Sequence, residues 1–278
     1  MIDAHVHVLP GLDDGPQEMM QAIRMCALAA EDGTELVVAT PHVFAGGSNP
    51  SLREIRQAHE DLQRNLNLAG VAMQLRWAAE IPLLENLPEL IRSGLVPFLD
   101  STGRYILLEP PRLGDFSVAI TEMIFRLQLI EITPVIAHPE HSQMFHRDSG
   151  LAERLVAQGA LLQLTASTVA TVVSAPDSHL CRRWLKQGLV HIVASDGHDT
   201  TLRPPCLSAA YRACEEFLGR DQADLLFKVN PARVLAGEDV VPLRALQLPK
   251  ASPEKENPFE RLRAWYARRL HRASHNRK

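Results

Sequence analysis

Imidazole and carboxylate side chains recur along the sequence at positions that suit metal ligands. His5 and His7 are separated by one residue, and the pair Asp13-Asp14 follows them. Further side chains of this kind bring the candidate ligands to nine: His5, His7, Asp14, His42, Glu80, Glu109, His138, Asp196 and His198. Mixed imidazole and carboxylate ligation suits Mn²⁺, Fe²⁺ or Zn²⁺, and the absence of cysteine from the set argues against a structural zinc site.

The spacing of His5 and His7 predicts that both bind the same ion. Alternate residues of a strand point to the same side, so the two rings would lie next to each other. Nine candidate ligands are too many for one ion and suffice for two or three when a carboxylate bridges. Such clusters activate water and neutralise a phosphoryl group, so the ligand set predicts metal-assisted hydrolysis of phosphate esters.

The elements that must position these side chains alternate between strands and helices. Hydrophobic patterns predict strands over 2–8, 35–40, 73–80, 105–109, 134–138, 160–164 and 191–195. Helices are predicted over 17–31, 52–68, 87–93, 118–130, 150–158, 179–187, 207–218 and 222–228. The unbroken run of strand–helix units favours an α/β barrel of parallel strands over a doubly wound open sheet, which would satisfy the same local pattern. In a barrel the strand ends that carry the candidate ligands converge on one face.

Composition places the chain among globular enzymes. About 46% of the 278 residues are apolar and 22% are charged, as in ordinary soluble domains. No apolar run approaches the roughly 20 residues that span a bilayer, so no transmembrane segment is predicted. The first residues lack the basic and apolar regions of a signal peptide, and a cytoplasmic location is therefore expected. The four cysteines form no CxxC pair and are expected to be reduced thiols.

Charge is divided unevenly along the chain. Residues 250–278 contain 9 Lys and Arg against 3 Glu, so the preceding part is strongly acidic, which argues against nucleic-acid binding. We predict a phosphatase domain over 1–245 and, over 246–278, a linker followed by a basic amphipathic helix. Two interpretations of that helix stay open. It could pack its aromatic stripe on the barrel, or it could contact an acidic partner or a membrane surface.

Several short motifs occur together and in a specific order. They are His5-x-His7, Asp13-Asp14-Gly15-Pro16, Thr40-Pro41-His42, Ala79-Glu80, Leu108-Glu109, Ala137-His138-Pro139-Glu140, Ala194-Ser195-Asp196-Gly197-His198 and Arg203-Pro204-Pro205. The set resembles the polymerase and histidinol phosphatase (PHP) superfamily. Within it, the chain is most similar to the bacterial manganese-dependent protein-tyrosine phosphatases of capsule and exopolysaccharide loci (CpsB/YwqE type). The resemblance runs from residue 1 to about residue 235, where Asn230-Pro231 also fits.

The resemblance implies a distorted (β/α)7 TIM-like barrel with three metal ions. It also implies that a metal-bridging water or hydroxide attacks the substrate. The first ion would be held by His5, His7, Glu80 and Asp196. Glu80 would bridge to a second ion that Glu109 and His138 complete, and a third would be held by Asp14, His42 and His198. Two to three divalent ions are therefore expected, with Mn²⁺ favoured over Fe²⁺, Zn²⁺, Co²⁺ or Mg²⁺.

Two residues are expected to contact the substrate phosphate. Arg203 matches an arginine to which the family assigns this role, and a guanidinium suits it because it can bind phosphate in a bidentate manner. Members of the family usually carry a second arginine three residues after the histidine of the fifth strand, where this chain has His141. A protonated histidine could contact phosphate, but it is shorter and not permanently charged.

The motifs leave several functions open. The leading one is a protein-tyrosine phosphatase whose substrate is a tyrosine autokinase that controls polysaccharide export. The same metal chemistry would serve a phosphatase for a small metabolite, such as histidinol phosphate or a nucleotide. A non-catalytic regulatory barrel could bind a partner through its basic tail. A cysteine-dependent phosphatase is disfavoured, because its C-x5-R signature is matched only by Cys206…Arg212 and Cys214…Arg220, which run into a predicted helix. Asp13 is interpreted as a turn residue.

Overall fold

The computed structural model describes residues 1–44, 49–172 and 179–245. Within this part, the strands are β1 (Ile2–Val6), β2 (Leu36–Ala39), β3 (Gln74–Trp77), β4 (Glu80–Pro82), β5 (Tyr105–Glu109), β6 (Thr133–Ala137), β7 (Leu161–Thr165) and β8 (Ile192–Ala194). They form two sheets of parallel strands, ordered β1-β2-β3 and β4-β5-β6-β7-β8. The predicted mixed α/β class with parallel strands is confirmed. The predicted tail over 246–278 lies outside the described residues.

Isolated parallel bridges connect a terminal residue of one strand to a residue just beyond another strand. One joins Val6 to Gly197, and the other joins His42 to Glu80. Next to the first, the Asp196 amide donates to the His5 carbonyl at 2.9 Å. The chain just after β8 therefore pairs with β1, and the chain after β2 pairs with the start of β4.

The strand predicted over 73–80 is interrupted in the structure. β3 pairs with β2, whereas β4 pairs with β5, and the two buried alanines Ala78 and Ala79 lie between them. The Glu80 amide donates to the Pro41 carbonyl at 3.1 Å, and the Glu80 carbonyl accepts from Val43 at 3.2 Å. The break places Glu80 between a neighbour on each side, which is why eight described strands replace the expected seven.

Helices follow most strands. They are α1 (Met19–Glu31), α2 (Leu52–Leu68), α3 (Leu87–Arg92), α4 (Ser117–Gln128), α5 (Gln143–Arg147), α6 (Leu151–Ala157), α7 (Ala166–Val172), α8 (Leu180–Gln187), α9 (Ser208–Leu218), α10 (Arg220–Asp224) and α11 (Asn230–Leu235). A 3₁₀ turn spans Pro139–His141 and a π-helical turn spans Leu225–Val229. The prediction over 222–228 thus corresponds to α10 and the π turn, and α5, α7 and α11 were not predicted.

Helix α2 shows why the longer helices were predictable. The Ser51 hydroxyl accepts from the Glu54 amide at 3.3 Å, and the Glu54 carboxylate accepts from the Ser51 amide at 2.8 Å. This reciprocal capping box fixes the first turn. Ile55, Leu62 and Leu66 are fully buried, and their spacing of seven and four residues aligns them on one face.

The core is arranged on both sides of the strands. Ala4, Leu107 and Ile192, which belong to strands of both sheets, are part of one inner apolar cluster. Their strand neighbours point the other way, because side chains alternate along a strand. Ile106 and Val193 accordingly pack in the clusters that include the helices. Met1–Ala245 form one compact unit.

No helix among the described residues is long and apolar enough to cross a membrane.

Candidate metal centre

The candidate ligands converge in the structure. All of them belong to four overlapping groups in which the ligand atoms lie within 4.8 Å of one another: His7, Asp14, His42 and His198; His5, Glu80 and His138; His5, His7 and Asp196; and His42, Glu80 and Glu109. The positions come from the ends of strands in both sheets, from the turns after β6 and β8, and from the loop after β1. Parallel strand packing therefore collects residues that are up to 193 positions apart in sequence.

Glu80 lies at the middle of the cluster. It is fully buried, and its Oε2 is 3.4 Å from His5 Nε2 and 3.2 Å from His7 Nε2. The same oxygen is 3.1 Å from His42 Nδ1, while Oε1 is 2.7 Å from His138 Nε2. A single buried carboxylate that faces four imidazoles belongs to a donor set that divalent ions accept.

Unsatisfied polar atoms show that the donor set fits bound cations. Glu80 Oε2, Asp196 Oδ1 and His42 Nδ1 are buried and have no hydrogen-bond partner among the described residues. Buried polar groups without partners are unfavourable, especially when they are charged. Divalent ions would satisfy these atoms, and imidazole with carboxylate is a donor set that such ions accept.

Two candidate ligands also have a strained backbone. His138 has φ 30° and Asp196 has φ 54°, in the left-handed region that non-glycine residues rarely adopt. Such strain is typical of functional positions, where the surrounding structure imposes the conformation. Both residues lie just after a strand, at the points where β6 and β8 turn away from the sheet.

The grouping differs in part from the expected assignment to three ions. His5, His7 and Asp196 lie together as expected for the first ion. Glu109 lies with His42 and Glu80, its Oε2 being 3.9 Å from His42 Nδ1. His7 joins the group expected for the third ion. The assignment of each ligand to a particular ion stays a prediction.

Residues outside the ligand set orient the histidines. The ring of His7 donates through Nδ1 to Asp13 Oδ2 at 2.6 Å, and the same oxygen accepts from the His42 amide at 3.1 Å. His5 Nδ1 donates to Gln163 Oε1 at 2.8 Å. These bonds leave Nε2 of both rings free to face the cluster, as in metal sites where an outer partner fixes the histidine tautomer.

Neither orienting residue, Asp13 or Gln163, was predicted from the sequence to serve the site. Asp13 was interpreted as a turn residue, and it does accept from the Gly15 amide at 3.0 Å, but its second oxygen serves His7. Gly15 permits this close approach, because a Cβ there would lie 2.5 Å from the His7 carbonyl oxygen. Gln163 could have been noticed as the one polar residue in Leu161-Leu162-Gln163-Leu164, since a buried amide needs a partner.

The charges of the cluster are strongly coupled. Burial alone would lower the pKa of His7, but the neighbouring carboxylates of Asp13 and Glu80 outweigh burial and raise the pKa to about 10. Burial would raise the pKa of Glu80, yet His5 and His138 hold it well below its usual range. Burial and the charge of Glu80 raise the pKa of Glu109. Since ligating imidazoles must be deprotonated, metal binding would release protons.

A cavity of about 370 Å³ adjoins the cluster at Asp196. Its polar lining consists of Arg112, His141, Thr165, Ser167, Ser195, Asp196, Arg203 and Cys206. The guanidinium of Arg203 donates to Asp196 Oδ2 at 2.6 Å. Both residues expected to contact phosphate, Arg203 and His141, therefore line a cavity that one candidate metal ligand borders. Arg112 was not predicted.

His141 is not a cation at neutral pH. Burial and the positive charges of His138 and Arg112 lower its pKa to about 4. Its Nε2 lies 3.4 Å from the Thr165 hydroxyl oxygen. His141 could thus take part in a hydrogen bond to an anion, but it does not supply the permanent charge of an arginine.

The cysteines do not resemble nucleophiles. Cys214 is fully buried in α9, and burial raises its pKa to about 12. Cys206 is half-buried at the cavity wall, and burial together with Asp32 and Asp3 raises its pKa as well. A catalytic cysteine needs a lowered pKa, so the geometry disfavours both C-x5-R matches as thiolate sites.

Comparison with known proteins identifies relatives with metal-dependent chemistry. The family model described as capsular polysaccharide synthesis, CpsB/CapC, matches residues 1–236. The tyrosine-protein phosphatase YwqE of Bacillus subtilis (strain 168) is 30% identical over 204 residues, which are 73% of this chain and 79% of YwqE. The tyrosine-protein phosphatase CpsB of Streptococcus agalactiae is 25% identical over 244 residues, covering 84% of this chain and 98% of CpsB.

A solved structure has the same fold. It comes from the crystal structures of YwqE from Bacillus subtilis and CpsB from Streptococcus pneumoniae, which are described as unique metal-dependent tyrosine phosphatases. The TM-score is 0.80 at 25% sequence identity, and the match covers 89% of this chain and 99% of the solved chain. The likeness therefore extends over most of the chain.

Proposed function

The chain belongs to the CpsB/CapC family of capsular polysaccharide synthesis, and from this premise we propose that it is a metal-dependent tyrosine-protein phosphatase. The observation that carries the proposal is the buried carboxylate of Glu80, which faces four imidazoles. This cluster borders a cavity that contains two guanidinium groups. The candidate metal ligands and two cationic side chains thus lie on adjoining walls, an arrangement that suits hydrolysis of a phosphate monoester.

We further propose that the two sheets close into a distorted (β/α)7 barrel. The bridges Val6–Gly197 and His42–Glu80 support this, because they join residues of one sheet to residues next to or within the other. The interruption after β3 would then be the distortion, with β3 and β4 acting as one bent strand. In such a barrel the strand ends form the floor of the active site.

The nine ligands would hold two or three divalent ions. Mn²⁺ is the first choice, and Fe²⁺, Zn²⁺, Co²⁺ and Mg²⁺ are alternatives, because carboxylate and imidazole ligands suit all of them to different degrees. When bound, such ions polarise the phosphoryl oxygens and lower the pKa of coordinated water.

Other residues of the chain would orient the candidate ligands and contact the substrate phosphate. Asp13 and Gln163 hold the rings of His7 and His5 in place. Arg203 and His141 contact the phosphate in the cavity, with Arg203 kept close to the cluster by Asp196. In the overall reaction, the oxygen of water bonds to phosphorus, the bond from phosphorus to the phenolic oxygen breaks, and that oxygen gains a proton. The products are tyrosine and inorganic phosphate.

The physiological substrate would be a phosphotyrosine protein, and a tyrosine autokinase of polysaccharide export is the expected one. The relatives are named tyrosine-protein phosphatases, and their family is one of capsular polysaccharide synthesis. A substrate of this kind would place the enzyme in the cytoplasm. No role for nucleic acid is proposed, since the sequence outside the basic tail is acidic.

The test is to compare substrates on the purified full-length protein with Mn²⁺. A phosphotyrosine peptide would be assayed beside a panel that includes histidinol phosphate, nucleotides and sugar phosphates. We expect the highest kcat/KM on the peptide and loss of activity after metal removal. A large kcat/KM advantage for one metabolite would overturn the protein substrate, and turnover that survives complete metal removal would overturn the mechanism.

A further inference from the structure

The cavity beside the candidate metal centre contains an arginine to which no role has been given. Two arginines, Arg112 and Arg203, and no lysine are among the described residues that line this cavity. Arg112 belongs to the loop between β5 and α4, whereas Arg203 follows β8. The two cations thus reach the cavity from different parts of the chain.

Arg112 is placed by a loop that is fastened at several points. The Ser142 hydroxyl donates to the Pro111 carbonyl at 2.6 Å, and the Gln143 amide donates to the Arg112 carbonyl at 2.9 Å. The Gly114 amide donates to the Gln143 side chain at 3.3 Å. These bonds tie the loop to the segment that follows His141, so the backbone of Arg112 is held beside that residue.

The two guanidiniums differ in their neighbours. Arg203 donates to Asp196 Oδ2 at 2.6 Å, so a carboxylate already balances part of its charge. Arg112 is exposed and makes no side-chain hydrogen bond or ion pair with any other described residue. A guanidinium without a counter-charge, facing a cavity that a metal ligand borders, is suited to a multiply charged anion.

We propose that Arg112 is a phosphate-binding residue, which supplies a second guanidinium to the cavity from the β5–α4 loop. The phosphate would lie between Arg112 and Arg203, with its remaining oxygens toward the metal ligands. His141 would leave room for the longer side chain of Arg112, because its ring is turned to Thr165 at 3.4 Å. The inference rests on the proposed phosphatase function.

The test compares Arg112→Gln with Arg92→Gln in the full-length protein with Mn²⁺. Arg92 is an exposed arginine at the end of α3 and does not line the cavity. We expect Arg112→Gln to raise KM for p-nitrophenyl phosphate and the inhibition constant of inorganic phosphate by about 10- to 100-fold, because one charge-assisted contact is lost. Metal content and the circular dichroism spectrum should stay unchanged, and Arg92→Gln should behave like the wild type.

A rescue experiment separates binding from a structural effect. In the double variant Arg112→Gln, His141→Arg, a guanidinium returns to the cavity from the adjoining segment at position 141. We expect recovery of at least about tenfold in phosphate affinity relative to Arg112→Gln. A KM and an inhibition constant within about twofold of the wild type in Arg112→Gln would overturn the proposal, and so would a loss of affinity accompanied by loss of metal.

Calorimetric titration with inorganic phosphate tests the role of Arg112 separately from the proposed phosphatase function. If the wild-type protein turned over no phosphate ester, the phosphatase function would be wrong. Phosphate binding that is present in the Mn²⁺-loaded wild type and lost in Arg112→Gln would still support the role of Arg112. Equal binding by both proteins would contradict it.

Discussion

At His7, the two ring nitrogens face different neighbours. Nδ1 donates to Asp13 at 2.6 Å, whereas Nε2 lies 3.1 Å from His5 Nε2 and 3.2 Å from Glu80 Oε2. The bond to Asp13 decides which nitrogen carries the proton and which is available for a metal ion. Asp13 therefore acts on the cluster through His7 and is a positioning residue.

The substitution Asp13→Asn tests this role. The amide can accept fewer of the bonds that the carboxylate receives from His7, His42 and Gly15, so the ring of His7 should lose its fixed orientation. We expect Mn²⁺ affinity to fall by about 10- to 100-fold, the usual effect of removing an outer partner of a ligating histidine. Calorimetric titration of metal-free protein measures this.

The matched control is Asp221→Asn, at an exposed position in the first turn of α10. It should leave Mn²⁺ affinity unchanged. An affinity within about twofold of the wild type in Asp13→Asn would show that Asp13 only shapes the turn, as its sequence context indicated.

The sequence predicted the candidate ligands that stand at strand ends, but it did not predict which other residues contact them. The sequence places His5, Glu80 and Asp196 at strand ends, and parallel strands bring such ends together. Asp13 and Gln163 orient histidine rings through hydrogen bonds of 2.6 and 2.8 Å, and Arg112 stands on a loop fastened by hydrogen bonds. Such contacts depend on side-chain directions and loop paths that no local pattern encodes.

At the scale of elements, a buried histidine connects β7 to the start of β8. The Leu162 amide donates to His191 Nδ1 at 3.2 Å, and the His191 amide donates to the Leu162 carbonyl at 3.0 Å. Burial lowers the pKa of His191 to about 4. Protonation would remove the acceptor at Nδ1 and leave a charge in the core.

The pH dependence of stability follows from the sign of this shift. The pKa in the folded protein, about 4, lies below the ordinary value of 6.5, so the unfolded chain binds the proton first as pH falls. The contribution of neutral His191 is complete above pH 6.5 and decreases toward pH 4. At pH 5 the loss of unfolding free energy would be about 2 kcal/mol.

His191→Asn should remove this component while its side-chain oxygen keeps an acceptor for Leu162. Urea unfolding of metal-free protein at pH 7.5 and pH 5.0 gives the two free energies for each protein. We expect the decrease between these pH values to be smaller in the variant by about 2 kcal/mol. Equal decreases in both proteins would show that His191 does not titrate in this range.

Elements with a long periodic pattern were predicted well, whereas three short helices were missed. Helix α2 has the predicted bounds because a capping box and an apolar stripe both mark it. Helices α5, α7 and α11 span 5, 7 and 6 residues, too few to show the helical period. The break between β3 and β4 was missed because Ala78 and Ala79 continue the apolar pattern, and only the change of pairing partner reveals it.

At the scale of the whole molecule, the ligand groups unite distant parts of the sequence. His5 and His7 stand near the beginning, and Asp196 with His198 stand near the end of the strand-forming region. An ion held by such residues binds the folded chain but not the unfolded chain, so metal binding stabilises the fold by linkage. Every candidate ligand lies within Met1–Ala245.

A chain that ends at residue 249 tests whether the tail is needed. We expect it to keep Mn²⁺-dependent turnover of p-nitrophenyl phosphate, with kcat/KM within about twofold of the full chain, because the ligands and the cavity are retained. Mn²⁺ at about 100 times its Kd should add roughly 2.7 kcal/mol to the stability of either chain. This corresponds to a rise in Tm of roughly 5–10 °C by calorimetry.

The possible outcomes discriminate between functions. Absence of turnover in both chains, with metal bound, would favour a regulatory barrel that acts through a partner. Turnover only in the full chain would show that residues 250–278 contribute to the active site, contrary to the domain boundary predicted near residue 245.

The fastening of the Arg112 loop has a consequence for how such enzymes diversify. Metal ligands such as Glu80 and His138 stand at strand ends, where a change disturbs the sheet, whereas Arg112 stands on a loop held mainly by backbone carbonyls and amides. Side chains on this loop can be exchanged by mutation without loss of the bonds that fix its path. Descendants of one ancestral enzyme could therefore move a phosphate-binding cation from one loop to another, and acquire new substrates, while inheriting the metal site intact.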